Sequence, residues 1–280
     1  MKFVRFGDPF QERPGVLVSE LTILDISSLV ADIGRETVSG LPTLVNRVRH
    51  AASLPEVALQ SVRLGPPISR PHKIIGIGLN YVDHANEAAM EIPSEPIVFM
   101  KASSSLSGPY DDILIPPGAK KLDWEVELGL VIGTTARYLA DEAEAQSVIA
   151  GYAVAHDVSE RFNQLERGGQ WTKGKSADTF SPVGPWLVTP DEVGDVADLS
   201  LTCRVNGEIK QSGSTSMMIF DAYHLVWYLS QFMTLEPGDL IMTGTPPGVG
   251  LSTGTYLKDG DAVELEVEGL GTQRQVCRAR

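Results

Sequence analysis

Leu122-Asp123-Trp124-Glu125-Val126-Glu127-Leu128-Gly129-Leu130-Val131-Ile132-Gly133 is the stretch on which fold and chemistry both turn. Its start alternates strictly. On a strand, Asp123, Glu125 and Glu127 then share one face, and Trp124, Val126 and Leu128 the other. Same-face neighbours on a strand lie about 7 Å apart. Three ionised carboxylates so placed repel one another and drive their pKa values up, a penalty that a bound divalent cation removes. The alternative is an acidic row on a solvated sheet face.

A second stretch, Gly151-Tyr152-Ala153-Val154-Ala155-His156-Asp157, reads as a small-residue strand ending in a carboxylate. Glycine and alanine leave room there for close approach. Glu125, Glu127 and Asp157 together would form an all-oxygen site. Such a site suits Mg²⁺ or Mn²⁺, suits Ca²⁺ less well, and does not suit Zn²⁺, which favours His and Cys.

Outward from these two stretches, further short runs read as strands: Ile74 to Leu79, Ile97 to Met100, Trp186 to Val188, Leu199 to Val205, Leu240 to Thr243 and Val263 to Val267. Turn signals such as Pro116-Pro117-Gly118, Asn206-Gly207 and Pro237-Gly238-Asp239 separate them. Helices are few. One runs from Leu41 to Ala52. A second follows Asn80 over roughly 81–91, with Asn80 as its cap. A third is capped by Asp221, with Tyr223, Val226, Trp227 and Phe232 on its apolar side. The expected class is therefore β-rich α+β. Residues 1–65 read as a small N-terminal α+β domain and residues 66–280 as the large one. The proline-rich stretch 65–71 is the linker candidate.

Composition narrows the partners. With 23 Lys and Arg against 36 Asp and Glu, the net charge is −13, and no basic run exists to hold a nucleic acid. An anionic membrane surface is disfavoured for the same reason, and no apolar run is long enough to span a bilayer. Two cysteines, Cys203 and Cys277, fit no metal or redox spacing and suit a reducing, cytoplasmic setting. The first residues lack the apolar stretch of a secretory signal. P-loop and dinucleotide fingerprints, a serine nucleophile elbow and a HExxH helix are all absent.

Other residues carry chemistry less specifically. His84 and Glu87 share a helix face at i and i+3, and such a pair can activate water or form a surface ion pair. Lys175 follows Trp171 in a glycine-rich loop. Arg161 and Gln164 lie just beyond Asp157. Gly244-Thr245-Pro246-Pro247-Gly248-Val249-Gly250 follows a strand and exposes backbone N–H groups as an anion nest does.

Taken in order, these segments resemble the fumarylacetoacetate hydrolase family. The resemblance runs from about Lys73 to Val267. It comprises Gly78-Leu79-Asn80-Tyr81-x-x-His84-x-x-Glu87, Asp123 to Gly129, and His156-Asp157-Val158-Ser159-x-Arg161-x-x-Gln164. It continues with Gly174-Lys175-x-x-Asp178-Thr179-Phe180-x-Pro182 and Pro237-Gly238-Asp239-x-Ile241-x-Thr243-Gly244-Thr245-Pro246. It implies a mixed β-roll with a small N-terminal domain, usually a homodimer. Glu125, Glu127 and Asp157 would hold Mg²⁺ or Mn²⁺. His84 and Glu87 would activate water from a lid helix, and Lys175 would meet the oxyanion. Tyr81, Arg161, Gln164, Gly244 and Thr245 would bind substrate.

One departure is Phe162, where many relatives carry an acidic residue after the arginine. Ser159-Glu160-Arg161 with Glu166-Arg167-Gly168-Gly169-Gln170-Trp171 resembles members that act on 2,4-diketo-3-deoxy sugar acids. The implied reaction is metal-dependent C–C hydrolysis of a 2,4-diketo acid to pyruvate and a carboxylic acid such as lactate. An oxaloacetate decarboxylase or acylpyruvase-type lyase on the same site is the alternative, as is a non-catalytic metal-bound binding module.

Overall fold

The computed structural model of the chain describes residues 1–87 and 91–279. Among these residues, ten strands run in one continuous order. Glu56–Ala58, Thr22–Asp25, Arg13–Ser19 and Lys2–Phe6 lead into Leu187–Val188, Ile149–His156, Val126–Ile132, Leu240–Met242, Ile74–Gly78 and Ile97–Lys101. Leu64–Gly65 adds an eleventh strand beside Lys2–Phe6. Pairing along this order is antiparallel except where Leu240–Met242 lies parallel to Ile74–Gly78. A second, five-stranded sheet runs Glu208–Ser214, Ser200–Val205, Ala262–Val267, Gly271–Ala279, Ile113–Ile115, with the last pair parallel. Both sheets keep two ends, so neither is a closed barrel. The architecture is the expected β-rich α+β class with mixed sheets.

Val126–Ile132 is buried at every residue because it lies mid-sheet with both faces covered. Val126, Leu128, Leu130 and Ile132 join one core, which also holds the helix residues Leu225, Val226 and Leu229. Val131 points into the other core. Glu127 is on the Val131 side by the period of two.

That second core crosses the boundary expected near residue 65. Phe3, Val16, Leu41 and Leu44 pack with Leu187, Leu240 and Met242. Lys2 also pairs with Val188, so the N-terminal strands extend the sheet of the rest of the chain. Each buried side chain of this size is worth roughly 1.5–3 kcal/mol. Four of them rival the whole net stability of a typical fold, about 5–15 kcal/mol. Residues Gly65 to Ile68 are buried as well, and the Arg5 guanidinium donates to the Pro66 carbonyl at 3.3 Å.

The helix expected from Leu41 to Ala52 ends three residues earlier, at Arg49. Leu41–Arg49 and Val82–Glu87 are observed, and residues 88–90 of the expected 81–91 helix lie outside the described residues. Asn80 does not cap that helix with its side chain. Its Oδ1 accepts from Phe220 N at 2.9 Å, and its Nδ2 donates to Phe220 O and Thr243 O. Asp221 does cap Ala222–Ser230, accepting from the N–H groups of Tyr223 and His224 at 2.9 Å each. The buried stripe of that helix is Ala222, Leu225, Val226 and Leu229, whereas Phe232 lies past its end and is 66% exposed. Asp221→Ala leaves two helix-terminal N–H groups without this acceptor. The expected result is a loss of about 1 kcal/mol and a thermal midpoint roughly 2–4 °C lower, read by calorimetry.

Candidate active site

Strand register assembles the acidic cluster. Val126 lies opposite His156 and Glu127 opposite Ala155. Just past that end of the ladder, Asp157 N–H donates to the Glu125 carbonyl at 3.0 Å. Glu125, Glu127 and Asp157 each offer an oxygen, all within 4.8 Å of one another, and all three residues are buried. The solvated-face alternative is thereby overturned. So is the continuous acidic strand, because the ladder breaks at Trp124 and Glu125 between Leu122–Asp123 and Val126–Ile132. Asp123 stays outside the group of three and is joined to Glu125 through the Arg161 guanidinium. Asp123 accepts from Arg161 Nε at 2.8 Å and from Gly250 N–H at 2.6 Å and Leu251 N–H at 3.0 Å.

Three buried cations answer four buried carboxylates. Lys175 Nζ lies 2.6 Å from both Glu125 Oε2 and Asp157 Oδ2. Arg161 Nη2 lies 2.6 Å from Glu125 Oε1. Lys101 Nζ pairs with Asp157 Oδ1 and donates to Phe180 O at 2.8 Å. Burial pushes the Glu125 carboxyl up, but Arg161 and Lys175 together overcome it and hold it below the usual carboxylate range. Glu127 ends opposite. Burial, then the charges of Asp157 and Glu125, drive it well above that range. The hydrogen bond it accepts within the chain comes from Gly244 N–H, at 2.7 Å. A hard divalent cation fits this donor set: it is all oxygen, buried, and one negative charge in excess.

A cavity of about 410 Å³ opens onto this cluster. Glu125, Glu127, Arg161, Gln164, Lys175 and Thr245 line its inner part. His84 and Glu87 line it too, from the helix Val82–Glu87. His84 Nδ1 lies 3.3 Å from Glu87 Oε2, and the Glu87 carboxylate accepts from Gly248 N–H at 3.1 Å. A carboxylate can only accept, so this contact puts the imidazole proton on Nδ1 and leaves Nε2 basic. The Gly244–Gly250 loop thus presents backbone N–H groups to three of the chain's own carboxylates: Gly244 to Glu127, Gly248 to Glu87 and Gly250 to Asp123.

Gly248 has φ +101°, and a Cβ there would stand 1.9 Å from Lys210 O, so only glycine places its N–H under Glu87. Gly174 is required for a different reason. A Cβ there would stand 2.5 Å from Gln164 Cβ and from Glu160 O, so its absence lets the Lys175 turn sit against the Arg161–Leu165 helix.

The profile described as Fumarylacetoacetate (FAA) hydrolase C-terminal matches residues 73–278. The chain belongs to the fumarylacetoacetate hydrolase family. It is 51% identical to the 2,4-didehydro-3-deoxy-L-rhamnonate hydrolase of Sphingomonas sp. (strain SKA58), over 98% of this chain and 95% of that one. Among solved structures of the family, the fumarylacetoacetate hydrolase of Exiguobacterium antarcticum is 36% identical, with TM-score 0.85 and all of both chains covered. The maleylpyruvate hydrolase of Sphingobium sp. SYK-6, in complex with manganese(II) ion and pyruvate, is 30% identical at TM-score 0.85. That match covers 100% of this chain and 99% of that one. The family membership and these relatives mark the chain as an enzyme of hydrolase type.

Not every expected residue reaches the cavity. Tyr81 is fully buried and does not line the cavity, and its hydroxyl has no hydrogen-bond partner within the described residues. Gly244 contributes through its N–H to Glu127 rather than by lining the cavity. Thr245 lines the cavity, but its hydroxyl donates to Val126 O at 2.9 Å and accepts from Gln211 Nε2 at 2.7 Å. Lys101 and Gln211 were not foreseen. Lys101 only terminates an apolar strand, and Gln211 lies on a strand without an apolar alternation. Phe162, the departure from the family pattern, receives the Lys120 ammonium 3.9 Å above its ring.

Proposed function

We propose that the chain is a divalent-metal-dependent hydrolase cleaving the C3–C4 bond of a 2,4-diketo acid. The substrate class is the 2,4-diketo-3-deoxy sugar acids, and the products are pyruvate and a carboxylic acid. For the six-carbon acid named in the Sphingomonas relative, the second product is lactate. One observation carries this reading: a buried three-carboxylate cluster with excess negative charge shares one cavity with a His–Glu pair.

Glu125, Glu127 and Asp157 would hold Mg²⁺ or Mn²⁺, which when bound supplies Lewis-acid polarisation of a 2-oxo acid. Gln164 and Arg161 line the cavity beside that cluster and suit the substrate's carboxylate end. His84 Nε2 takes a proton from water, and Glu87 stabilises the imidazolium that results. The hydroxide attacks the C4 carbonyl, and Lys175 offers its ammonium to the oxygen that gains charge. Collapse expels the C3–C4 electron pair onto the three-carbon fragment, which is protonated at C3 to give pyruvate. The other fragment leaves as a carboxylate.

The test is a panel of acetylpyruvate, 5-hydroxy-2,4-dioxohexanoate and oxaloacetate, with and without Mg²⁺ or Mn²⁺. Pyruvate is read by coupling to lactate dehydrogenase. Metal-dependent pyruvate from the diketo acids is expected. Pyruvate from oxaloacetate alone would make the chain a lyase, and none from any substrate would leave a binding module.

A further inference from the structure

We infer that Ser252, with Leu251 beside it, reads the distal end of the substrate and selects acids with a hydroxyl at C5 and an apolar terminus. The inference rests on the diketo-acid reading above and names what distinguishes its substrates. Exposure orders the cavity from floor to mouth. Glu127 is 1% exposed at the floor, whereas Leu165 and Leu251 are 42% and 41% exposed. A substrate with its carboxylate end at the acidic cluster therefore points its far end at Leu165, Leu251 and Ser252.

Two hydroxyl side chains line this cavity, Thr245 and Ser252. The Thr245 hydroxyl is committed to Val126 and Gln211. The Ser252 hydroxyl makes no hydrogen bond within the described residues and is free to pair with one on the substrate. The exposed Leu165 and Leu251 and the buried Val249, which line the same cavity, offer no side-chain partner to a further hydroxyl, and they suit a methyl terminus.

The turn that carries Ser252 is held to the chemistry. Asp123 accepts from Gly250 N–H and Leu251 N–H while also accepting from Arg161 Nε. Arg161 in turn binds Glu125. One carboxylate therefore sets the spacing between the cluster that would take C1 and C2 and the hydroxyl that would take C5.

The test compares kcat/KM for 5-hydroxy-2,4-dioxohexanoate with that for 2,4-dioxohexanoate, in the wild-type enzyme and in Ser252→Ala, both saturated with Mn²⁺. The wild type is expected to favour the hydroxylated acid by about tenfold, the size of one neutral hydrogen bond. Ser252→Ala is expected to bring that ratio near unity. Ser252 is exposed, so the variant is not expected to lose its fold. A wild type without preference, or a ratio unmoved by Ser252→Ala, overturns the inference and leaves the hydrolase reading standing. Cleavage of neither acid overturns both.

Discussion

Glu127→Gln is expected to abolish Mn²⁺ binding and hydrolysis while making the metal-free protein more stable. The two effects have one cause. Glu127 is buried beside Glu125 and Asp157, and Lys175 and Arg161 spend their short contacts on Glu125, Asp157 and Asp123. Without a cation, its charge meets like charges and receives one N–H, from Gly244. Glutamine keeps an oxygen for that N–H and offers its own N–H groups to the neighbouring carboxylates, so the metal-free fold loses a repulsion and gains donors. The same change removes one of three anionic ligands. A metal ion stabilises by its binding to the native state, about 2.7 kcal/mol at a hundred times its dissociation constant. Thermal scans with and without Mn²⁺ are expected to show a metal-induced rise in the wild type. The variant should start from a higher midpoint and show no rise. A variant that is less stable without metal, or that still binds Mn²⁺, would contradict the place given to Glu127.

The sequence was legible wherever burial and alternation coincided. Strand Val126–Ile132 and its partner Ile149–His156 could be read because nearly every inward position is Val, Ile, Leu or Ala. The strand Gly271–Ala279 was missed because its inward positions are Gln273, Gln275 and Cys277, so a polar side chain stands where a strand pattern needs an apolar one. Gln275 is inside for a reason that no local pattern reveals: it bonds His156 at 3.0 Å and the Pro109 carbonyl. The acidic row was half legible. Its period placed Glu127 correctly, but the break at Trp124 and Glu125 depends on the pairing of Leu122–Asp123 with Ser159–Glu160, a contact distant in sequence. Long-range pairing also hid Lys101, whose only signal is a lysine closing an apolar run. Asn80 was misread because an asparagine before a helix suits capping, while tertiary contact with Phe220 and Thr243 uses the same amide.

His84→Ala is expected to lower hydrolysis of a 2,4-diketo acid by roughly 10²–10⁴-fold, the usual contribution of a positioned general base. Mn²⁺ affinity, read by titration calorimetry or by loss of the free-ion resonance, is expected to stay near that of the wild type. The separation follows from geometry, since His84 is on the helix Val82–Glu87 while the carboxylate triad comes from the strand ends across the cavity. Glu87→Gln gives the graded case. Its amide oxygen can still take the proton of His84 Nδ1 or of Gly248 N–H, but no charge remains to stabilise the imidazolium. The loss is therefore expected to be smaller than for His84→Ala and to fall on kcat more than on KM. Full hydrolysis by His84→Ala would remove the histidine from the reaction. Loss of Mn²⁺ binding in that variant would instead place it with the metal, which the distribution of charge around Glu127 does not require.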